Sequence, residues 1–516
     1  MMRRLLAIST AVLVAACSPV RDDVARPTSY AIDRPEETFL GRAFAAQLAG
    51  NPGESGARWL ISGQEAFLAR AALAEAAERT LDLQYYIVGE DATATLLLYR
   101  ALRAAQRGVR VRLLIDDWYA VGRDFDFGTL ATHPKVEVRV FNPFLSRGPL
   151  GWSRFLEYVG DSARLNRRMH NKLWIADNAA AVVGGRNLAD PYFNVSEQGD
   201  FADLDVFVVG PVVAEVSRSF DDYWNSEWAV PIAAFLRRSP GVPRLDRIES
   251  EMATSAERFR ETDYARTLRA TDLGRLVRGG QLPVIAARAD VHYDEPAKMQ
   301  GEPVETRGQI VSILRPLIEG AQREVMLITP WLIPSEPGMG VLCGLVRRGV
   351  RVRVLVNSLA AQDPPVVHAG YARYRPRLIA CGVDLHERRP GAASGARPGL
   401  SSGASLHAKA VVVDRKSVLV GSMNLDPRSR LSNSEVAVSI DSAVLGGQLA
   451  RLFDEAASPE QSFHVELTEP GNENAPLSWT GREEGKLVRY ASEPLASWWQ
   501  RFISSVLGAL VPQTML

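Results

Sequence analysis

The 516-residue chain is 46% hydrophobic and 23% charged, an ordinary globular composition with enough apolar residues to fill the cores of two or three domains without a disulfide framework. Its 60 Lys plus Arg balance its 60 Asp plus Glu, so no overall positive field holds it on DNA or RNA, which disfavours a general nuclease.

The chain opens with Arg3 and Arg4, an apolar run over 5–16 and small residues before Cys17. This is the pattern of a secretory signal peptide over 1–16, too short to span a bilayer. Val14, Ala15, Ala16 and Cys17 resemble the bacterial lipoprotein box, which makes Cys17 the expected lipidation site at the head of a tether over 17–40. Several acyl chains, at about 0.8 kcal/mol per buried methylene, make such attachment effectively permanent. An ordinary signal peptide with a chance cysteine is the alternative. Either way the mature protein is expected in the bacterial cell envelope, facing the periplasm. Ser18 after the cysteine points to the outer membrane, which leaves inner against outer open.

From residue 41 the pattern alternates short apolar strands with Leu- and Ala-rich helices: LDLQYYIV near Leu83, a helix, then RGVRVRLLI. A strand follows with MHNKLWIAD, carrying His170, Lys172 and Asp177, then Gly184 and Asn187, and then Asp205 in DLDVFV. Arg167 and Arg168 precede the motif and suit either an anionic group or a solvated turn. This first domain is assigned to 41–237. Residues 238–306 are charged, contain Pro and lack a long apolar period, and read as a helical connector. The pattern then starts again over 307–460 with VMLITPWLI and RGVRVRVLV. Cys343 and Cys381 read as two buried thiols rather than a disulfide, and His368 suits an acceptor site or a structural position. The Gly-, Ser- and Pro-rich stretch 389–405 reads as a solvent loop, with a lid as the alternative. It leads into LHAKAVVVD, carrying His407, Lys409 and Asp414, followed by Gly421, Asn424 and Glu435. The extension 461–516 ends in a Trp-bearing amphipathic segment that either docks on the protein's own core or lies at a lipid interface.

The two motifs read HxKxxxxD, and each places an asparagine seventeen residues after its histidine. RGVRVR recurs at an offset of 241 and the histidines at 237, in a chain with seven histidines. Near-constant register marks a duplication. The fold class is therefore α/β: two pseudo-symmetric domains, each a mixed β-sheet flanked by helices.

Histidine and lysine two apart on a strand leave the same face. A phosphodiester resists nucleophiles because its oxygens are negative; Lys172 and Lys409 neutralise that charge, and Asn187 and Asn424 add amide donors. No metal-ligand spacing is evident, so no metal or other cofactor is expected. One imidazole attacks phosphorus while the other protonates the leaving alcohol and later deprotonates the acceptor. Asp205 and Glu435 start strands after their motifs and are assigned to fix the histidine tautomers. Asp177 and Asp414, part of the repeated catalytic set, are expected to hold strand ends rather than transfer protons.

These paired motifs resemble the phospholipase D superfamily. LDLQYYI, RGVRVRLLIDD, VRVFNPF, RLNRRMHNK, VVGGRN, VVHAGYARYR and SGASLHAK are similar, in order, to segments of its bacterial cardiolipin synthase branch. The resemblance implies one site shared by two copies, a phosphohistidine intermediate with His170 as nucleophile and His407 as acid and base, and transfer of a phosphatidyl group to phosphatidylglycerol. Phosphatidylethanolamine or a second phosphatidylglycerol is then the donor. The expected partners are phospholipids and a membrane surface, with no nucleic acid. Hydrolysis to phosphatidic acid is the alternative outcome, followed by metal-independent nuclease activity and non-catalytic lipid binding.

Overall fold

RGVRVR owes its repetition to local geometry. In the computed structural model, helix Ala92–Gln106 ends just before Gly108 (φ 102°) and helix Ser335–Arg347 just before Gly349 (φ 84°). Glycine takes this left-handed turn without steric cost, and the Val–Arg alternation that follows forms strands Arg110–Asp116 and Arg351–Asn357. The arginines are held by carboxylates: buried Arg112 meets Asp82 at 2.6 Å and Asp221 at 2.8 Å. The structure describes residues 20–510 except 121, 148–150, 197–198, 237, 302–309, 362–364 and 392–404. The stretch expected to be a signal peptide, Cys17 and most of the Gly- and Ser-rich stretch therefore lie outside the described residues.

In the first copy, strands Thr80–Tyr85, Arg110–Asp116 and Val136–Phe141 run parallel. Antiparallel strands Leu173–Ala176, Ala180–Gly184, Asp205–Val209 and Ser55–Leu60 continue the sheet from Thr80–Tyr85. The second copy repeats this with Glu324–Ile328, Arg351–Asn357 and Asp384–Arg388 parallel, and Ala410–Val413, Ser417–Gly421, Val436–Asp441 and Ile285–Tyr293 antiparallel. Ser55 lies opposite Ala287, so the two sheets join edge to edge into one of 18 strands. Joining the edges removes two templates for aggregation.

Strand Ile285–Tyr293 falls in the stretch expected to be a connector. It escapes sequence reading because it is half-exposed along most of its length and shows no buried alternation. Before it, helices Val242–Arg260, Asp263–Arg269 and Leu273–Arg278 do form.

Three apolar cores result. One lies under the helices of the first copy and one under those of the second, while the third is built from both, including Trp59, Phe220 and Trp224 with Val438, Leu449 and Phe453. The halves are therefore fused through buried surface. Cys343 and Cys381 are not free thiols: they form a disulfide with Cα atoms 5.5 Å apart. Their sequence separation of 38 hid a contact made only when helices Ser335–Arg347 and Arg375–Ala380 pack together.

Beyond the second copy, strands Ser462–Leu467, Leu477–Glu483 and Lys486–Tyr490 widen its sheet. Helix Trp498–Leu510 packs against helix Pro365–Ala372 while leaving Trp498, Trp499 and Phe502 exposed. Among the described residues no helix is long and apolar enough to cross a membrane.

Candidate active site

His170 and His407 each lie just before a core strand of their copy, Leu173–Ala176 and Ala410–Val413. A short parallel pairing fixes each of them against the other copy. Met169 bridges to Ser434, and Ser405–Leu406 pairs with Phe201–Ala202. His170 N donates to Ser434 O at 2.8 Å, and His407 N to Ala202 O at 2.8 Å. The next residue along each partner segment is acidic, so the side chains also cross over. His170 Nδ1 lies 2.8 Å from Glu435 Oε2, and His407 Nδ1 lies 2.6 Å from Asp203 Oδ2. Each histidine is oriented by the other copy's carboxylate.

Glu435 was expected as an orienting group; the other assignment is corrected from Asp205 to Asp203. Buried Asp205 instead pairs with Arg70 at 2.9 Å and Arg186 at 3.5 Å. The ladder shows why: Gly184 faces Asp205 while Gly421 faces Ala437, which makes Asp203 the counterpart of Glu435. A Cβ on Gly185 would meet Asp203 Oδ1 at 2.1 Å, so that glycine leaves room for the carboxylate. Its counterpart Ser422 donates its hydroxyl to Glu435.

Lys172 and Lys409 are buried beside the histidines, and each Nζ donates to the carbonyl of its own histidine. Lys409 Nζ also lies 2.9 Å from His407 Nδ1, a nitrogen that serves only one partner at a time. The ionised, buried Asp203 has the stronger claim, so Nδ1 carries the proton and Nε2 is left free.

Burial, followed by Lys172 and Lys409, pushes His170 well below the usual imidazole range. Burial, with Lys409 and Lys172 adding to it, brings His407 down to about 3 despite Asp203. Each lysine acts on the other copy's histidine, so the four groups lie within electrostatic reach of one another. Burial pulls Lys172 down to about 7, opposed by Glu435. Burial also raises Glu435 to about 7, opposed by Lys172 and Ser422. Asp203 behaves oppositely: burial favours its neutral form, but His407 and Lys409 outweigh that and hold it well below the usual carboxylate range. The site thus combines neutral imidazoles with concentrated, poorly solvated positive charge, an environment for an anion.

Asn187 accepts from Ile87 N at 3.1 Å and donates to Tyr192 Oη at 2.9 Å. The Tyr192 ring lies 5.2 Å from that of His407. Asn424 is buried, with Oδ1 unpaired. Asp177 and Asp414 lie at the far ends of their strands, away from the histidines. Asp177 accepts from the backbone of Glu78, Arg79 and Thr80 at 2.7–2.8 Å, and Asp414 from Gln322, Arg323 and Glu324 at 2.8–3.0 Å. Arg168 is neither solvated nor free for a ligand: it is buried on Asp116 at 2.9 Å, and Arg167 donates to Met299 O. His368 is buried between Tyr371 and Glu493.

Sequence reasoning missed Tyr86, whose ring lies 5.1 Å from His170. It also missed a cluster on the second sheet, where His386 and His464 face each other across strands and both approach Asp384 Oδ1, at 2.9 and 3.2 Å. Arg351 and Arg353 already neutralise Asp384 there.

The family model described as "Cardiolipin synthase, PLD-like domain" matches residues 70–224 and 314–457, one match in each copy. The chain belongs to this family of phospholipase D-like proteins. It is 37% identical over 473 residues to cardiolipin synthase C of Escherichia coli (strain K12), covering 90% of this chain and 97% of that protein. It is 25% identical to cardiolipin synthase A of Pseudomonas entomophila (strain L48), covering 77% and 68%. Its fold is that of the crystal structure of phosphatidylserine synthase from Haemophilus influenzae Rd KW20, with a TM-score of 0.57 at 14% identity, covering 92% of this chain and 100% of that one.

Proposed function

We propose that this protein is a membrane-attached phosphatidyltransferase that makes cardiolipin from phosphatidylglycerol and a second phospholipid through a phosphohistidine. The observation that carries the reading is the crossed pairing of His170 with Glu435 and His407 with Asp203 around two buried lysines. Relatives named as cardiolipin synthases support the choice of lipid.

In the first step His170 Nε2 attacks the phosphorus of the donor. The N–P bond forms as the bond to the leaving alcohol oxygen breaks, and His407 gives that oxygen its proton. In the second step the hydroxyl of phosphatidylglycerol attacks phosphorus. His407 takes its proton, and the N–P bond returns its electron pair to His170. The phosphodiester's negative charge offsets Lys172 and Lys409, which raises the affinity of His407 for the proton it must hold. Glu435 acts on the nucleophile. Ionised, it accepts Nδ1–H and leaves the Nε2 lone pair for attack; protonated, it donates to Nδ1 and forces the proton onto Nε2.

Residues 1–17, with their signal and lipoprotein pattern, support a periplasm-facing, lipid-anchored location. The Cys343–Cys381 disulfide agrees with an oxidising compartment. Supplying the purified full chain with phosphatidylglycerol, alone and with phosphatidylethanolamine, tests the reaction. Cardiolipin is the expected product, and phosphatidic acid without cardiolipin would replace transfer by hydrolysis. His170→Ala and His407→Ala are each expected to lower turnover by at least about 10³-fold with the melting temperature essentially unchanged; substantial activity in either removes the two-histidine mechanism.

A further inference from the structure

Two helices display large aromatic and aliphatic side chains to solvent. Trp152, Phe155 and Leu156 on helix Gly151–Gly160 are 73%, 55% and 62% exposed, and Trp498, Trp499 and Phe502 on helix Trp498–Leu510 are 71%, 57% and 47% exposed. Tryptophan and phenylalanine with interspersed arginine are the side chains that favour the boundary between headgroups and acyl chains. Chain topology puts both helices at the rim of the site.

In each copy the parallel strands end toward the histidines. Tyr86, directly after Thr80–Tyr85, touches His170, and Asp116, ending Arg110–Asp116, accepts from Met169 N. Asn357, ending Arg351–Asn357, holds the backbone of Leu406 beside His407 through two hydrogen bonds of 2.8 Å. Helix Gly151–Gly160 lies in the connection that leaves Val136–Phe141 at this end and returns to His170. Its Tyr158 packs edge-on against Trp118, two residues beyond Asp116. Helix Pro365–Ala372 follows Asn357, and helix Trp498–Leu510 packs against it. One aromatic helix thus stands on the first copy's side of the mouth and one on the second's. Tyr119, 49% exposed with its ring 5.2 Å from Tyr86, continues the aromatic lining inward to His170.

We propose that helices Gly151–Gly160 and Trp498–Leu510 together form a bilayer-docking surface that seats the mouth of the site on the phospholipid interface. The lipid occupant rests on the phosphatidyltransferase reading. A diacyl phospholipid drawn fully into water loses about 0.8 kcal/mol per methylene, tens of kcal/mol for two long chains, so its phosphate reaches a buried histidine only if the mouth itself meets the bilayer. A lipid anchor at Cys17 would hold the protein near a membrane without choosing which face meets it; the two helices choose the face.

The test places an environment-sensitive fluorophore at Phe155→Cys and, separately, at Leu487→Cys on strand Lys486–Tyr490, with the unsubstituted full chain as labelling control. Each protein is put on phosphatidylglycerol–phosphatidylethanolamine vesicles carrying nitroxide lipids. Expected is a blue-shifted, quenched signal at 155 and an unchanged one at 487; a label at 155 that stays in water overturns the proposal. In a second arm, Trp152→Ser combined with Phe155→Ser and Leu156→Ser is expected to lose at least about tenfold activity on vesicles while staying within about twofold on a short-chain, monomeric phosphatidylglycerol. Equal losses on both substrates contradict docking as the role of this helix. The fluorescence does not depend on turnover, so a quenched label with no transfer to any lipid upholds the surface and removes the phosphatidyltransferase reading instead.

Discussion

Glu435 and Asp203 occupy equivalent positions but titrate in opposite directions, and that asymmetry divides the work of the histidines. Asp203 stays ionised and fixes His407 throughout the physiological range, whereas burial raises Glu435 to about 7. In the proposed mechanism, Glu435 above that value accepts Nδ1–H and frees Nε2 of His170 for attack, whereas below it His170 is held in the wrong tautomer. Activity measured as kcat/KM should therefore rise with pH through about 7. Glu435→Gln, whose amide oxygen accepts from Nδ1–H at every pH, should lose that rising limb, and an unchanged limb assigns it to another group. The same raised value bears on stability: Glu435 binds its proton more tightly folded than unfolded, so its contribution favours the folded state at low pH and is lost as pH rises from about 4.5 to about 7. Asp203→Asn and Asp205→Asn separate orientation from packing. The first should cut turnover by roughly 10²–10⁴-fold with little change in stability. The second strands Arg70 in the core and should cost about 3–5 kcal/mol in urea unfolding. Reversed effects would restore Asp205 as the orienting group.

At the scale of elements, the repeat was legible because the same local problem is solved twice: a helix stopped at glycine, a Val–Arg strand, and a His and Lys pair two apart just ahead of a core strand rather than on it. The acid partners were half legible. DLDVFV offers two aspartates, and Asp205 passes for the equivalent of Glu435 only while the ladder is unknown. The ladder supplies the missing clue, since it makes Arg186 and Asp205 of the first copy correspond to Met423 and Ala437 of the second. An ion pair replaced together by two apolar residues belongs to packing, which leaves Asp203 for the histidine. The disulfide and strand Ile285–Tyr293 were not legible, because one depends on the approach of two helices and the other lacks a buried periodicity. Asp177 shows how the motif's last member serves the fold: its carboxylate ties the start of strand Thr80–Tyr85 to the end of Leu173–Ala176. Asp177→Ala should lose about 3 kcal/mol, because several backbone donors are left unpaired at a buried corner. Asp414→Ala should lose less, because the Asp414 side chain is partly exposed where Asp177 is fully buried, so water replaces its carboxylate more readily. Equal losses at the two positions would contradict this account of burial.

The two copies are fused into one structural unit, which the proposed mechanism uses as a single catalytic centre. The central core draws on both copies, the sheet runs unbroken through Ser55–Leu60 and Ile285–Tyr293, and each histidine depends on the opposite copy for its acid. Calorimetry of the full chain should accordingly show one cooperative transition, whereas two well-separated transitions would mean that the halves fold independently. The most direct test of a single shared site counts covalent adducts. His407→Asn, which retains the nucleophile but lacks the acid and base, is mixed with a phosphatidyl ester of p-nitrophenol, whose leaving group departs without a proton, then quenched and weighed intact by mass spectrometry. The account predicts one phosphatidyl group per chain, on His170, and none when His170→Ala is added; two adducts per chain, or one that survives His170→Ala, would contradict it.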